Sequence, residues 1–183
     1  MKSLFQREMN ESELVIYKKA ISHIKEKTEN LMDEIDENLK TYNKFNNFDC
    51  KFYLSDDSLS IKEKKEYLKQ LKEKLLLMGD CDKVKVKVAT ALHPMCWCYL
   101  LNKHLPESSF KEWCFNYIMY GFCVPFKRNK PIMMAYYVFE EGEQEVKDIL
   151  SHELTHSLMN TKDLNAENHI DALNDAWTIG LLY

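Results

Sequence analysis

The chain contains the stretch Ser151-His152-Glu153-Leu154-Thr155-His156, which has the form H-E-x-x-H. In a helix, positions i and i+4 lie on one face about one turn apart, so both imidazoles can bind one cation. The carboxylate of Glu153 then projects beside them, where it can hold and deprotonate a water on that cation. The stretch therefore predicts a metal-binding helix that carries its own general base.

The flanking residues favour a helix around this motif. Neither Gly nor Pro occurs from Glu143 to Met159, and apolar residues recur there at spacings of three and four. The alternative is a helix in which two histidines fall four residues apart by chance. Helical context makes the metal-binding interpretation the stronger one.

Composition limits the classes of protein to which the chain can belong. Its 183 residues are enough for one domain with its own core, and we predict a single domain over 1–183. A soft division near Gly79 would separate a helical part, 1–80, from a metal-carrying part, 81–183. The net charge of −4 gives no basic field for nucleic acid.

No apolar run reaches the roughly 18 residues that a membrane span needs, so we expect no membrane segment. The N-terminal residues Met1–Glu8 turn polar too early for a signal peptide. These features predict a cytoplasmic protein, or one exported without such a signal. The six cysteines are then expected to be reduced. A second metal site built on His93, Cys96 and Cys98 is the alternative, but cysteines among aromatic residues are more often buried core residues.

Hydrophobic periodicity predicts an α+β fold, mostly helical with a small sheet. Helices are expected from Asn10 or Ser12 to about Phe45 (with an optional break at Thr28–Asn30), from Ser58 or Ser60 to Met78, after Pro94 to Leu105, and from Ser108 or Ser109 to Tyr120. Strands are expected at Lys51–Leu54, Lys83–Val88 and Ile132–Phe139.

The motif lacks a third protein ligand, and two aspartates downstream could supply it. Asn160 tolerates the left-handed conformation that ends helices, so the chain can fold back and bring Asp163 under the metal. Asp175 would instead reach the metal from a following helix. The spacing alone leaves both open.

The segment from His152 to Asp163 resembles the aspzincins, the group of deuterolysin and peptidyl-Lys metalloendopeptidase. Their pattern is H-E-x-x-H followed by G-T-x-D, and this chain has Asn160-Thr161-Lys162-Asp163 at the second part. The later segment Ala172–Trp177 is similar to an Asn-Ala-Asp-aromatic segment of that family. The resemblance covers about the last thirty-five residues. It implies a zincin-like domain with one Zn²⁺, and Asp163 as third ligand.

This resemblance also assigns work to residues outside the ligand set. It implies that Asp175 helps form an acidic pocket for a substrate lysine. Independently of the resemblance, Asp175 could accept a hydrogen bond from a ligand imidazole and so fix its tautomer. The chain departs from the family pattern at Asn160, where the family has Gly, and at Ala166, where it has a tyrosine that stabilises the tetrahedral intermediate. Tyr136, Tyr137 and His169 are candidates to replace that tyrosine.

A second resemblance points to another third ligand. The H-E-L-T-H stretch together with Ala172-Leu173-Asn174-Asp175-Ala176 is similar to the thermolysin-like gluzincins, with Asp175 where that group has Glu. Because Asp is one methylene shorter, its helix would have to lie about 1.5 Å closer to keep a zinc–oxygen bond within about 2.2 Å. This cost favours Asp163 as the third ligand over Asp175.

The leading hypothesis from the sequence is a zinc metalloendopeptidase that hydrolyses peptide bonds with a zinc-activated water and Glu153 as general base. Its partner would be a protein or peptide substrate. One alternative is a metallopeptidase-like module that binds or regulates but cleaves weakly or not at all, motivated by the missing tyrosine. Another is an interaction protein whose helix around Tyr17–Ile35 is the functional surface.

Overall fold

A computed structural model of the protein describes residues 4–40, 59–116, 118–123, 131–164, 166 and 169–183. These residues form a mostly helical α+β fold with a small mixed sheet, as predicted. The helices are α1 (Glu11–Lys40), α2 (Ile61–Met78), α3 (Trp97–His104), α4 (Ser109–Asn116), α5 (Tyr136–Glu141), α6 (Glu143–Leu154), α7 (His169–Ala172) and α8 (Ala176–Gly180). The strands are β1 (Gln6–Arg7), β2 (Val86–Ala89), β3 (Gly121–Cys123) and β4 (Ile132–Ala135).

The four strands lie in the order β1-β2-β4-β3. β2 and β4 are parallel, with Val86 opposite Ile132 and Ala89 opposite Ala135. β1 and β3 are antiparallel to their neighbours and form the two edges. Because β4 lies between β2 and β3, it is a central strand, and the shorter β3 forms the edge next to helix α6.

Helix α1 packs against both α2 and α6, so the two parts of the chain share one core. It runs unbroken through the region where a break was an option. The reason is that the hydroxyl of Thr28, which is buried, donates to the carbonyl of Ile24 and leaves the helical ladder intact. The N-termini of α1 and α2 are capped by residues that the sequence predicted. Asn10 accepts from the backbone N–H of Glu13, and Ser60 caps α2.

The predicted strand Ile132–Phe139 is wrong in its second half, which is helix α5. Only four residues of β4 pair with β2, and Ala135 is the last of them. Beyond it the ring of Tyr137 is fully buried and stacks on that of Tyr99 with 3.8 Å between centroids, while its hydroxyl donates to the carbonyl of Met119. This packing outweighs the β-propensity of the aromatic residues.

Two further boundaries differ from the prediction. The helix expected to reach Tyr120 ends at Asn116 as described, and Gly121 begins a strand instead of ending that helix. The strand expected at Lys83–Val88 forms only at Val86–Ala89, because Cys81–Lys83 make a turn of 3₁₀ helix first. The predicted strand Lys51–Leu54 and the predicted end of α1 near Phe45 lie outside the described residues.

The described cysteines are thiols outside any disulfide, and all but Cys98 are buried. This burial fits the prediction that they are core residues. His93 caps the 3₁₀ turn that leads into α3, where its ring accepts from the backbone N–H of Met95. Among the described helices, none combines the length and apolar character needed to cross a membrane.

Candidate metal centre

Helix α6 and the turn that follows it bring three metal-binding side chains together. The Nε2 atoms of His152 and His156 lie 3.1 Å apart. Oδ1 of Asp163 lies 3.2 Å from the first of these atoms and 3.4 Å from the second. The three potential ligand atoms therefore form a nearly equilateral triangle. Within the described part of the chain, this is the group of His, Cys, Asp and Glu side chains that could hold a metal ion.

The size of the triangle suits a small divalent cation. Bond lengths of about 2.0–2.2 Å in tetrahedral coordination require ligand atoms about 3.3–3.6 Å apart. The three observed separations, 3.1 to 3.4 Å, are within a few tenths of an ångström of that requirement. Three protein ligands leave a fourth position for water or substrate, which is the arrangement of catalytic sites.

The chain reaches Asp163 by ending the helix in the predicted way. After α6, residues Thr155–Met159 form one π-helical turn, and Asn160 then adopts the left-handed conformation with φ 57° and ψ 41°. Asn160 is the one residue other than glycine with a positive φ in the described ranges. This reversal directs the following residues back under the histidines, as Asn permits at low steric cost.

Asp175 stabilises the returning loop and does not join the three ligands. It is 1% exposed, and its Oδ1 accepts the backbone N–H of Leu164, the residue after Asp163, at 2.9 Å. Its Oδ2 accepts from the backbone N–H and the hydroxyl of Thr178, which caps α8. Backbone hydrogen bonds between Lys162 and the segment 174–176 complete this attachment. The carboxylate thus connects the ligand loop to α8.

The two histidines are oriented by different contacts. Nδ1 of His156 lies 3.0 Å from the carbonyl oxygen of Thr161, so this nitrogen donates its proton there and Nε2 keeps a lone pair for a metal. The ring of His152 packs against that of Trp177, with 4.2 Å between centroids. Its Nδ1 is buried and has no hydrogen-bond partner among the described residues. The predicted hydrogen bond from a ligand imidazole to Asp175 is therefore not formed.

The electrostatics of the site also suit metal binding. Burial, followed by the repulsion of a charged His156, lowers the pKa of His152 to about 4, so its imidazole is neutral at physiological pH. A neutral imidazole is the form that binds metals. Burial raises the pKa of Glu153 to about 8, and the negative charge of Asp163 adds to this effect. The pKa of Glu153 thus lies close to neutrality, the range in which a carboxyl group can both take up and return a proton.

A cleft of about 500 Å³ opens over the ligands and the base. One wall is formed by residues 118–123, which include edge strand β3. A Cβ atom at Gly121 would lie 2.7 Å from both Cγ and Oε1 of Glu153 and 2.9 Å from Cγ2 of Ile149. The backbone of β3 can approach Glu153 this closely only because residue 121 has no side chain.

We expect Gly121→Ala to lower the rate of any Glu153-dependent reaction about 100-fold, because displacement of a catalytic group by about 1 Å has effects of that size. Metal affinity should stay within a few fold of the parent, since the ligands do not contact this position. The matched control is Gly180→Ala on the other side of α6, where a Cβ would make ordinary contacts of 3.4 to 3.6 Å with His152. Equal activity of the two variants would contradict this role of Gly121.

Sequence reasoning missed the contributions of Gly121, Thr161 and Trp177. The run of β-forming residues after Gly121 was the available signal for an edge strand.

The structure does not bring the described candidates for the missing tyrosine to the cleft. Tyr136 and Tyr137 belong to an aromatic cluster with Tyr99 and do not line the cleft. The side chain of His169 lies outside what the structure describes.

Comparisons of the chain with protein-family models, with curated proteins and with solved structures found no match. His152, His156 and Asp163 could hold one metal ion, and Glu153 lies beside them as a buried acid–base group.

Proposed function

We propose that the protein is a zinc-dependent peptidase. The observation that carries this proposal is the triangle of His152, His156 and Asp163 with Glu153 buried at its side, within one cleft. Two imidazoles and one carboxylate with an open position make up the donor set of catalytic zinc sites. When bound, zinc would act as a Lewis acid and lower the pKa of water toward neutrality.

The same donor set also suits non-haem iron, so the identity of the metal rests on the neighbouring base. Glu153 supports hydrolysis because its carboxylate can take one proton from the attacking water. The water oxygen then bonds to the peptide carbonyl carbon. As the C–N bond breaks, Glu153 returns the proton to the leaving amine, which departs neutral. Oxygen-activating sites do not depend on a general base placed in this way.

The edge strand β3 supports a peptide as the substrate. Gly121–Cys123 pair with β4 on one side, and β3 is one of the two edge strands of the described sheet. An extended peptide could pair with such an edge through backbone hydrogen bonds. It would then pass directly over Glu153, because Gly121 contacts that side chain.

A second candidate function is a module of this fold that binds metal and peptide without efficient cleavage. It is favoured by the place of Tyr136 and Tyr137, which pack in the aromatic cluster and leave the tetrahedral intermediate without their hydroxyls. Among the cleft residues, Asn160 and Trp177 carry side-chain donors that could take over that task.

The test is to measure the metal content of the purified protein and its action on a reduced, alkylated protein substrate. We expect one zinc per chain, cleavage that stops when a chelator removes the metal, and recovery when zinc returns. One zinc per chain with no cleavage would favour the second candidate. Absence of bound metal, even after incubation with zinc, would overturn the proposal and leave the helical interaction protein as the better hypothesis.

A further inference from the structure

The walls of the cleft are apolar beyond the metal-binding groups. Side chains of large apolar and aromatic residues line it from β3, from the residues before β3, from α6 and from α8: Ile118, Met119, Tyr120, Phe122, Ile149 and Trp177. Three of these are substantially exposed, with Met119 at 42%, Phe122 at 40% and Trp177 at 50%. A substrate that covered them would remove apolar surface from water, which favours binding roughly in proportion to area.

The charges of the cleft have an uneven distribution. Its acidic lining residues are Glu153 and Asp163, and the proposed chemistry uses both. Asp175, which the family resemblance makes part of a lysine pocket, is buried and accepts hydrogen bonds from Leu164 and Thr178. Among the described residues that line the cleft, no carboxylate therefore remains to pair with a basic substrate side chain.

The cleft instead carries a cation of its own. Lys162 lines it, is exposed, and forms no ion pair with any residue that the structure describes. Its backbone is held on both sides, since its N–H donates to Asn174 and its carbonyl accepts from Ala176. The position of Lys162 beside the ligand Asp163 is thus fixed by the same attachment that holds the ligand loop.

We infer that the cleft selects a peptide with a large apolar side chain beside the scissile bond and rejects lysine or arginine there, with Lys162 as a specificity-determining residue. This inference rests on the proposed function and names its substrate class. An apolar side chain gains from contact with the aromatic wall. A substrate ammonium group would lose water, find no available carboxylate and meet the charge of Lys162.

Binding can be measured without turnover in zinc-loaded Glu153→Gln, using capped Ala/Ser hexapeptides with one central Leu, Phe or Lys. We expect the Leu and Phe peptides to bind at least about tenfold more tightly than the Lys peptide, the range in which apolar pockets discriminate. Lys162→Glu should reduce this preference about tenfold or more by restoring affinity for the Lys peptide. The matched control is Lys162→Met, which keeps the length of the side chain and should leave the Leu peptide unaffected.

Each outcome has a defined meaning. Equal or tighter binding of the Lys peptide, or binding of none of the peptides, would overturn the inference. If Lys162→Glu kept the preference of the parent protein, Lys162 would not be a specificity-determining residue. Failure of the proposed function looks different: the parent protein would cleave none of the peptides, whatever order of affinity the Gln variant shows.

Discussion

Glu153→Gln should abolish peptide cleavage while the protein still binds one zinc ion. The amide keeps the size of the side chain but cannot take a proton from water, and general acid–base catalysis contributes about 10² to 10⁴ in rate. We therefore expect cleavage of an unfolded protein substrate to fall about 100- to 10,000-fold. Zinc affinity, measured by competition with a chelator, should stay within a few fold, because Glu153 is not among the three ligands.

The stability of the metal-free variant provides the control for folding. Burial raises the pKa of Glu153 from 4.5 to about 8 in the folded protein, so the native state binds this proton more tightly than the unfolded chain does. The stabilisation that the native protein gains from this protonated carboxyl group is therefore complete below pH 4.5 and is lost as the pH rises toward about 8. Gln carries no such proton. The variant should gain melting temperature relative to the parent over this interval, and retained cleavage by a well-folded variant would refute the mechanism.

The metal helix was predictable because its signal is local. The i, i+4 spacing of His152 and His156 and the apolar periodicity around them require no knowledge of distant contacts. The left-handed turn at Asn160 was predictable for the same reason, since it follows from the conformational preference of one residue. Together these two features brought Asp163 to the histidines, which the structure confirms as a geometric arrangement.

The strands were harder to predict because pairing is decided by residues far apart in sequence. The aromatic run after Ala135 has strong β-propensity, yet it forms a helix because Tyr99, from a distant helix, stacks on Tyr137. Gly121 could be interpreted as a helix terminator or as a site of close approach, and only the position of Glu153 on the neighbouring helix decides between them. Propensity describes a residue, whereas these outcomes depend on its neighbours.

The role of Asp175 shows a further limit of sequence reasoning. From the sequence it could be a metal ligand or a partner for an imidazole, and the family resemblance implied a part in a substrate pocket. The structure instead directs its oxygens to Leu164 and Thr178, where one carboxylate caps α8 and holds the ligand loop. Backbone N–H groups are the same for every residue type, so a sequence gives no direct sign of which ones a buried carboxylate will accept.

The two aspartates can be separated by comparing Asp163→Ala with Asp175→Asn. We expect Asp163→Ala to weaken zinc binding well beyond 100-fold, because changes outside the ligand set already cost about 10- to 100-fold. Because the side chain of Asp163 is 57% exposed, its loss should leave the melting temperature of the metal-free protein unchanged. Loss of a ligand without loss of fold is the expected result.

Asp175→Asn should show the opposite pattern. Its amide can still accept the N–H of Leu164, but its NH₂ group cannot accept from Thr178, so the helix cap is lost at a cost of about 1 kcal/mol or more. Melting temperature should fall even without metal, and zinc affinity should fall by no more than about 100-fold through the loosened loop. If Asp175→Asn instead lost zinc more severely than Asp163→Ala, Asp175 would be the ligand. The resemblance to the thermolysin-like gluzincins would then describe the site better. In that case Asp175 would have to give up its present hydrogen bonds in order to bind the metal.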